Sequence, residues 1–304
     1  MYDVVVLALA DPDQACAVRA PVRACLDELA AGGVRAESVV ATSDQAVDEV
    51  LARLDGDEPA RLTGDAPARL VVASAADAQL RAVVRRMVRR WAPAPSKRPA
   101  DLPAHRTIPD LPPLGVLPLD PAGAAPTGLP GQLGLPRDPA AVAAAVLGGE
   151  VRRLDLLRHD GGSVTLDGAL LGGSDQAGRA VPWRARVEVD DALLSDGKEP
   201  LLAGLVANAG GYQRVDDLPL VTGADPADGL IEAAVAVPVR SRLRRRVRME
   251  VRRASGRAVM VRPADDGVPM LDDGVAAELT RQRSWWVEAG AWAVYTQPTR
   301  ARRS

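Results

Sequence analysis

The sequence predicts a two-domain chain: an open, mostly parallel α/β sheet of three layers, then an antiparallel β-sandwich. Three observations predict it. Short Val/Leu runs alternate with helical patterns between residues 3 and 91. Twelve of the 25 prolines then fall between 92 and 136 and interrupt regular structure. After 150 the apolar pattern turns to period two, with Gly/Asp turns between short runs. The α/β domain is expected over 1–118, completed by a returning strand at 291–297. The sandwich is expected over 119–290, and the tail 298–304 is expected to be disordered.

The elements follow in order. Asp3 to Leu9 reads as a buried parallel strand. Residues 13–31 read as a helix, with Val18, Val22, Leu26 and Leu29 at helical spacing and Gly32-Gly33 as its stop. Val34 to Ala41 is the second strand. Thr42 to Leu54 is the second helix, with Thr42 or Ser43 as N-cap. Leu70 to Ser74 is the third strand. The helix after it carries Leu80, Val84, Met87, Val88 and Trp91 on one face and Arg81, Arg85, Arg86, Arg89 and Arg90 on the other. Leu114 to Leu119 is the fourth strand. Asp138-Pro139 opens an Ala-rich helix that Gly148-Gly149 closes. Trp183, Ala185, Val187 and Val189 alternate with charged residues, as do Leu243, Val247, Met249 and Val251 with arginines. Further strands are expected at 163–171, 201–207, 230–237, 257–262 and 284–295.

Composition excludes several functions. A net charge of -2 gives no bulk attraction to nucleic acid. Eight aromatic residues, none of them Phe, make no stacking platform for single strands. Cys16 and Cys25 lie nine apart in one helix, cannot bridge within it, and read as reduced thiols. No apolar run approaches the roughly 20 residues that span a bilayer. MYDVVVLALADPD has no basic n-region and reads as a strand. The expectation is a cytoplasmic protein, with peripheral contact at the inner membrane surface left open. His105 and His159 are isolated, Gly173-Ser174-Asp175 lacks nucleophile-elbow spacing, and no Walker A sequence occurs.

The candidate chemistry sits in four motifs. The third strand ends in Ser74-Ala75-Ala76-Asp77-Ala78-Gln79, a strand-to-helix turn where backbone N–H groups can meet phosphate. By residue type alone it is an ordinary connection, since phosphate cradles use Gly. LPPLGVLPL is followed by QLGLPRDPAAVAAAVLGG and VRRLDL. Ala224-Asp225-Pro226-Ala227-Asp228-Gly229-Leu230 follows Val206-Ala207-Asn208. Leu271-Asp272-Asp273-Gly274-Val275 lies near the C-terminus.

In this order, the motifs resemble the diacylglycerol kinase family across about residues 3–297. The resemblance implies an NAD kinase/diacylglycerol kinase-like fold, with nucleotide and lipid headgroup between the domains. It implies ATP-dependent phosphorylation of a lipid hydroxyl. Asp77 falls on the Asp of the family's Gly-Gly-Asp-Gly-Thr, Ala75, Ala76 and Ala78 on its glycines, and Gln79 on its Thr. Thr42 falls beside the nucleotide. The segment 120–132 replaces the family's Gly-Thr-x-Asn-Asp-Phe-Ala-Arg. The resemblance implies a structural Mg²⁺ on Asp225, Asp228 and the Leu230 carbonyl, oxygen donors that suit a hard cation. It places Val275 on the catalytic Glu. A Val takes no proton from an alcohol, which leaves Asp273 or Glu278 as the nearest substitutes. The expectation is therefore a family member with weak or lost turnover. The alternative is a non-catalytic, pseudokinase-like regulatory protein that binds lipid or nucleotide. An NAD kinase relative ranks third. The eight arginines of Arg240–Arg253 read as a solvated strand face or as a contact for anionic lipid. A homodimer is compatible with the sequence.

Overall fold

The computed structural model describes residues 3–10, 19–55, 68–119, 128–209, 214–215, 218–240, 247–264 and 267–297. Cys16 and Val18, the start of the helix expected from 13, lie outside the described residues. So do the loop residues 120–127, the arginine-rich residues 241–246 with Leu243, and the tail from 298. The chain divides into two compact units, residues 1–154 with 291–304 and residues 155–290.

The first unit holds strands β1 (Val4–Leu9), β2 (Ala36–Ala41), β3 (Arg69–Ser74) and β4 (Leu114–Pro118). Among the described residues its helices are α1 (Ala20–Ala31), α2 (Asp44–Leu51), α3 (Asp77–Trp91), α4 (Leu129–Gln132) and α5 (Pro139–Gly148). The strands pair in parallel in the order β2-β1-β3-β4, with Val4 opposite both Ala36 and Arg69 and Leu70 opposite Leu114. Val294 of the last strand joins Leu114 in the same sense.

Both faces of this sheet are covered, as parallel sheets require. Val4, Val6, Ala8, Val71 and Ala73 pack against Val22, Cys25 and Leu29 of α1 and Val142, Ala145 and Val146 of α5. Val5, Leu7, Leu70 and Val72 alternate to the opposite face. Burial pushes the Cys25 thiol up to about 11, with the Glu28 charge adding to it. The arginine face of α3 is largely spent on local acids: Arg86 pairs with Asp44 and Asp48, and Arg90 with Asp55. Asp138 caps α5 through the Ala140 and Ala141 N–H groups, and Gly149 at φ 71° ends it. Arg69 of β3 binds the carbonyls of Val146 and Leu147 and lies 5.9 Å from the Tyr295 ring centre, joining β3, α5 and the last strand.

Gly115 lets α5 seat on β4. A Cβ there would stand 2.8 Å from Val146 Cγ2 and 3.2 Å from Val71 Cγ2. Gly115→Ala is expected to lower stability by about 1–3 kcal/mol through overpacking, read from urea unfolding. An unchanged midpoint would mean that α5 is not seated this closely.

Among the described residues the second unit is all β. Its strands are β5 (Val151–His159, entering from the first unit), β6 (Ser163–Thr165), β7 (Gly168–Leu171), β8 (Gly173–Ser174), β9 (Ala180–Val181), β10 (Ala185–Val189) and β11 (Ala192–Asp196). Then come β12 (Ala203–Ala207), β13 (Arg214–Val215), β14 (Leu218–Pro219), β15 (Ile231–Arg240) and β16 (Val247–Gly256). The last are β17 (Ala258–Pro263), β18 (Val268–Asp272), β19 (Val275–Leu279) and β20 (Arg283–Tyr295), which runs on into the first unit. One sheet runs β16-β15-β12-β7-β18-β19. The other runs β11-β10-β17-β20, with β5 on β20 and β6 on β5. Val187, Val259, Val261 and Trp285 of one sheet pack against Leu171, Val206, Val235 and Met270 of the other, giving the antiparallel sandwich.

The strand expected over 163–171 is broken in two at Leu166-Asp167. The break turns these backbone N–H groups toward an acid rather than a neighbouring strand.

Candidate functional site

The order β2-β1-β3-β4 places a topological switch between β1 and β3, where open α/β sheets bind ligands at the carboxyl ends of their strands. The turn from β3 into α3 lies at that edge. Ala75 and Ala76 are exposed, and Asp77, Ala78 and Gln79 are half-buried. Ala76 is the N-cap in extended backbone, and no side chain caps the helix. Instead Ala75 N–H donates to Gln79 Oε1 at 2.8 Å, and Ser74 Oγ donates to Ala76 O at 3.1 Å.

The Asp77 carboxylate accepts the Leu129 N–H at 3.1 and 3.2 Å. Leu129 is fully buried and begins α4. Burial holds the Asp77 carboxyl above the usual carboxylate range. Among the described residues, the non-glycine positions with positive φ are Asp190 and Asp273. Ala75–Gln79 therefore lack the left-handed backbone of an anion nest. Thr42 is exposed beside Ser43, and Ser43 is the cap of α2, accepting Ala46 N–H at 3.2 Å. Both Thr42 and the turn follow carboxyl ends of parallel strands, but β1 lies between β2 and β3. The two are separated by two strand spacings, about 10 Å.

In the second unit, Asp155, Asn208, Gly229 and the Asp272-Asp273 pair meet in one network. Asp273, at φ 48°, accepts Leu166 N–H at 2.7 Å, Asp167 N–H at 2.8 Å and Gly168 N–H at 3.1 Å. Asp272 accepts the Thr165 hydroxyl at 2.7 Å. The Asn208 amide donates to Leu166 O and Asp155 O at 2.8 and 2.9 Å. Asp155, 1% exposed, accepts Gly229 N–H at 2.6 Å and Gly290 N–H at 2.7 Å, and its own N–H donates to Pro226 O. Burial pushes the Asp155 carboxyl up, and the charges of Asp228 and Asp225 add to this. The sequence motifs contain Asp155 and Asn208 but assign them no role. The local signal for Asp155 was an acid between two leucines of an apolar strand.

Asp225 and Asp228 are exposed. Each holds a local turn through one oxygen, accepting Ala227 N–H at 3.1 Å and Leu230 N–H at 2.9 Å. Their remaining oxygens and the Leu230 carbonyl are hard donors of the kind Mg²⁺ accepts. Among the described residues no group of three or more His, Cys, Asp or Glu side chains could hold a metal. Val275 is 39% exposed at the start of β19, and Glu278 is exposed on the same strand. In the arginine strand, Arg252 binds Glu199 and Glu250, and Arg253 binds the carbonyls of Leu220 and Pro219. Arg248 is exposed.

A parallel α/β unit joined to an antiparallel sandwich is the two-domain architecture of diacylglycerol kinase- and NAD kinase-like proteins. No protein-family model matches the sequence, and no curated protein does. Solved structures do match in fold. A diacylglycerol kinase from Bacillus anthracis str. Sterne covers 98% of this chain and 98% of its own, with a TM-score of 0.59 and 12% identity. An NAD kinase from Archaeoglobus fulgidus, solved in complex with ATP, covers 96% of this chain and 93% of its own, with a TM-score of 0.53 and 13% identity. The resemblance read from the motifs thus extends to the architecture of nearly the whole chain. At such identities the likeness is one of fold. Among the described residues no helix is long and apolar enough to cross a membrane.

Proposed function

We propose that this protein keeps the frame of a lipid kinase but not efficient phosphoryl transfer, and acts as a regulatory protein that binds a nucleotide or a lipid headgroup. The observation that carries this reading is the turn after β3. Its Ala75 N–H is taken by Gln79, its Asp77 carboxylate by Leu129, and its alanines stand where close phosphate approach needs glycine. Val275 and the engaged Asp273 support it, since neither is a free acid able to take a proton from an alcohol. Loss of a general base alone costs about 10²–10⁴-fold.

Asp225, Asp228 and the Leu230 carbonyl are the groups that would hold a structural Mg²⁺, pinning the turn before β15. They favour a second reading, a slow kinase. ATP is the first nucleotide to test, because the NAD kinase neighbour was solved with it. Arg248, exposed on β16, is a residue that would meet an anionic membrane.

Labelled ATP with Mg²⁺ and diacylglycerol vesicles is expected to yield no phosphatidic acid above a protein-free control. Calorimetry with Mg-ATP then reports whether the turn accepts a nucleotide at all. Robust product formation that Asp77→Ala removes would overturn the non-catalytic reading, and NADP formation from NAD would move the protein to the other branch of the fold.

A further inference from the structure

Arg106 lies in the first unit, in the proline-rich stretch between α3 and β4. Its side chain is 9% exposed. Nη1 donates to Asp110 Oδ1 at 2.6 Å, and Asp110 Oδ2 also takes Arg153 Nη2 at 3.0 Å. Two guanidinium groups thus share one carboxylate, and that carboxylate is half exposed. The other edge of Arg106 is different. Nε and Nη2 are both shut off from solvent, and neither has a hydrogen-bond partner.

A buried charged donor without an acceptor is costly, and two on one group more so. The unmatched pair is also specific in shape. Nε–H and Nη2–H run parallel along one side of the planar group, the fork that binds two oxygens of one phosphoryl or carboxylate group. The segment that carries it is anchored by the fully buried Ile108, while most of its other side chains are exposed, and its backbone ties include two local turns, Leu102 N–H to Pro99 O and Arg106 N–H to Pro103 O.

We infer that the Nε/Nη2 edge of Arg106 is a binding site for a small oxyanion, held as a bidentate pair within the 98–110 segment, with Asp110, shared with Arg153, on the Nη1 side. This site is independent of the turn after β3 and of any kinase activity. It is tested without nucleotide. The melting temperature of the full chain is followed against inorganic phosphate, against acetate, and against vesicles containing phosphatidic acid, all at constant ionic strength.

Phosphate or acetate is expected to raise the melting temperature of the wild type in a saturable way. Arg106→Lys keeps the charge but loses the fork, and is expected to bind about tenfold or more weakly. Arg106→Gln removes both. If it does not fold, the lysine variant decides. A response to vesicles but not to the free ions would place the oxyanion on a lipid headgroup. The proposal is overturned if no probe shifts the wild type, or if Arg106→Lys responds as the wild type does.

Discussion

Asp273→Ala is expected to destabilise the protein by about 3–5 kcal/mol, seen as a lower urea midpoint. The substitution strands the N–H groups of Leu166, Asp167 and Gly168, all in buried backbone, and each unmet donor costs about 1–3 kcal/mol. It also leaves an alanine at φ 48°, a conformation that Asp and Asn tolerate better. Asp273→Asn keeps one acceptor oxygen and the tolerance for this backbone, and should lose about half as much. The two roles open to Asp273 make opposite forecasts. A brace loses stability whether or not phosphoryl transfer is present. A general base would leave the unfolding midpoint in place and remove turnover. Wild-type stability in Asp273→Ala would refute the brace.

Asp155→Ala should cost about 2–4 kcal/mol, because Gly229 N–H and Gly290 N–H lose their acceptor in a partly buried place. Both glycines have left-handed backbone, at φ 76° and 62°, so neither turn relaxes easily to find another partner. The effect carries a pH signature. The Asp155 carboxyl is held above its ordinary range, chiefly by burial. The folded chain therefore binds this proton more tightly than the unfolded chain does. The stability that this difference contributes is complete below the unfolded carboxylate value, about pH 4, and is lost as pH rises through the raised value. The gap between wild type and Asp155→Ala should narrow from about pH 4 toward pH 7 in urea titrations. A gap that widens over that range would contradict the burial account.

The helices of the first unit were legible because their signals are local. Ser43 and Asp138 are side-chain caps within three residues of what they cap, and the apolar faces of α1 and α3 repeat at helical spacing. The parallel sheet followed from strands separated by helices. The period-two stretches became the sandwich for the same reason, since alternation is a property of neighbours. The break at Leu166-Asp167 was not legible, because its cause is a carboxylate about 107 residues further on.

The candidate site divides along the same line. That Ala75, Ala76 and Ala78 stand where glycines would serve phosphate follows from the residues, and that Val275 offers no proton acceptor follows from the residue together with the family resemblance, because a Cβ and an absent carboxylate belong to the side chain wherever it sits. What Asp77, Asp155 and Asp273 do is another matter. Asp77 meets Leu129 across 52 positions, and Asp155 meets Gly290 across 135. Only the tertiary structure decided that these acids hold backbone rather than stand free, because a carboxylate's role depends on which donors face it, and those donors come from distant strands.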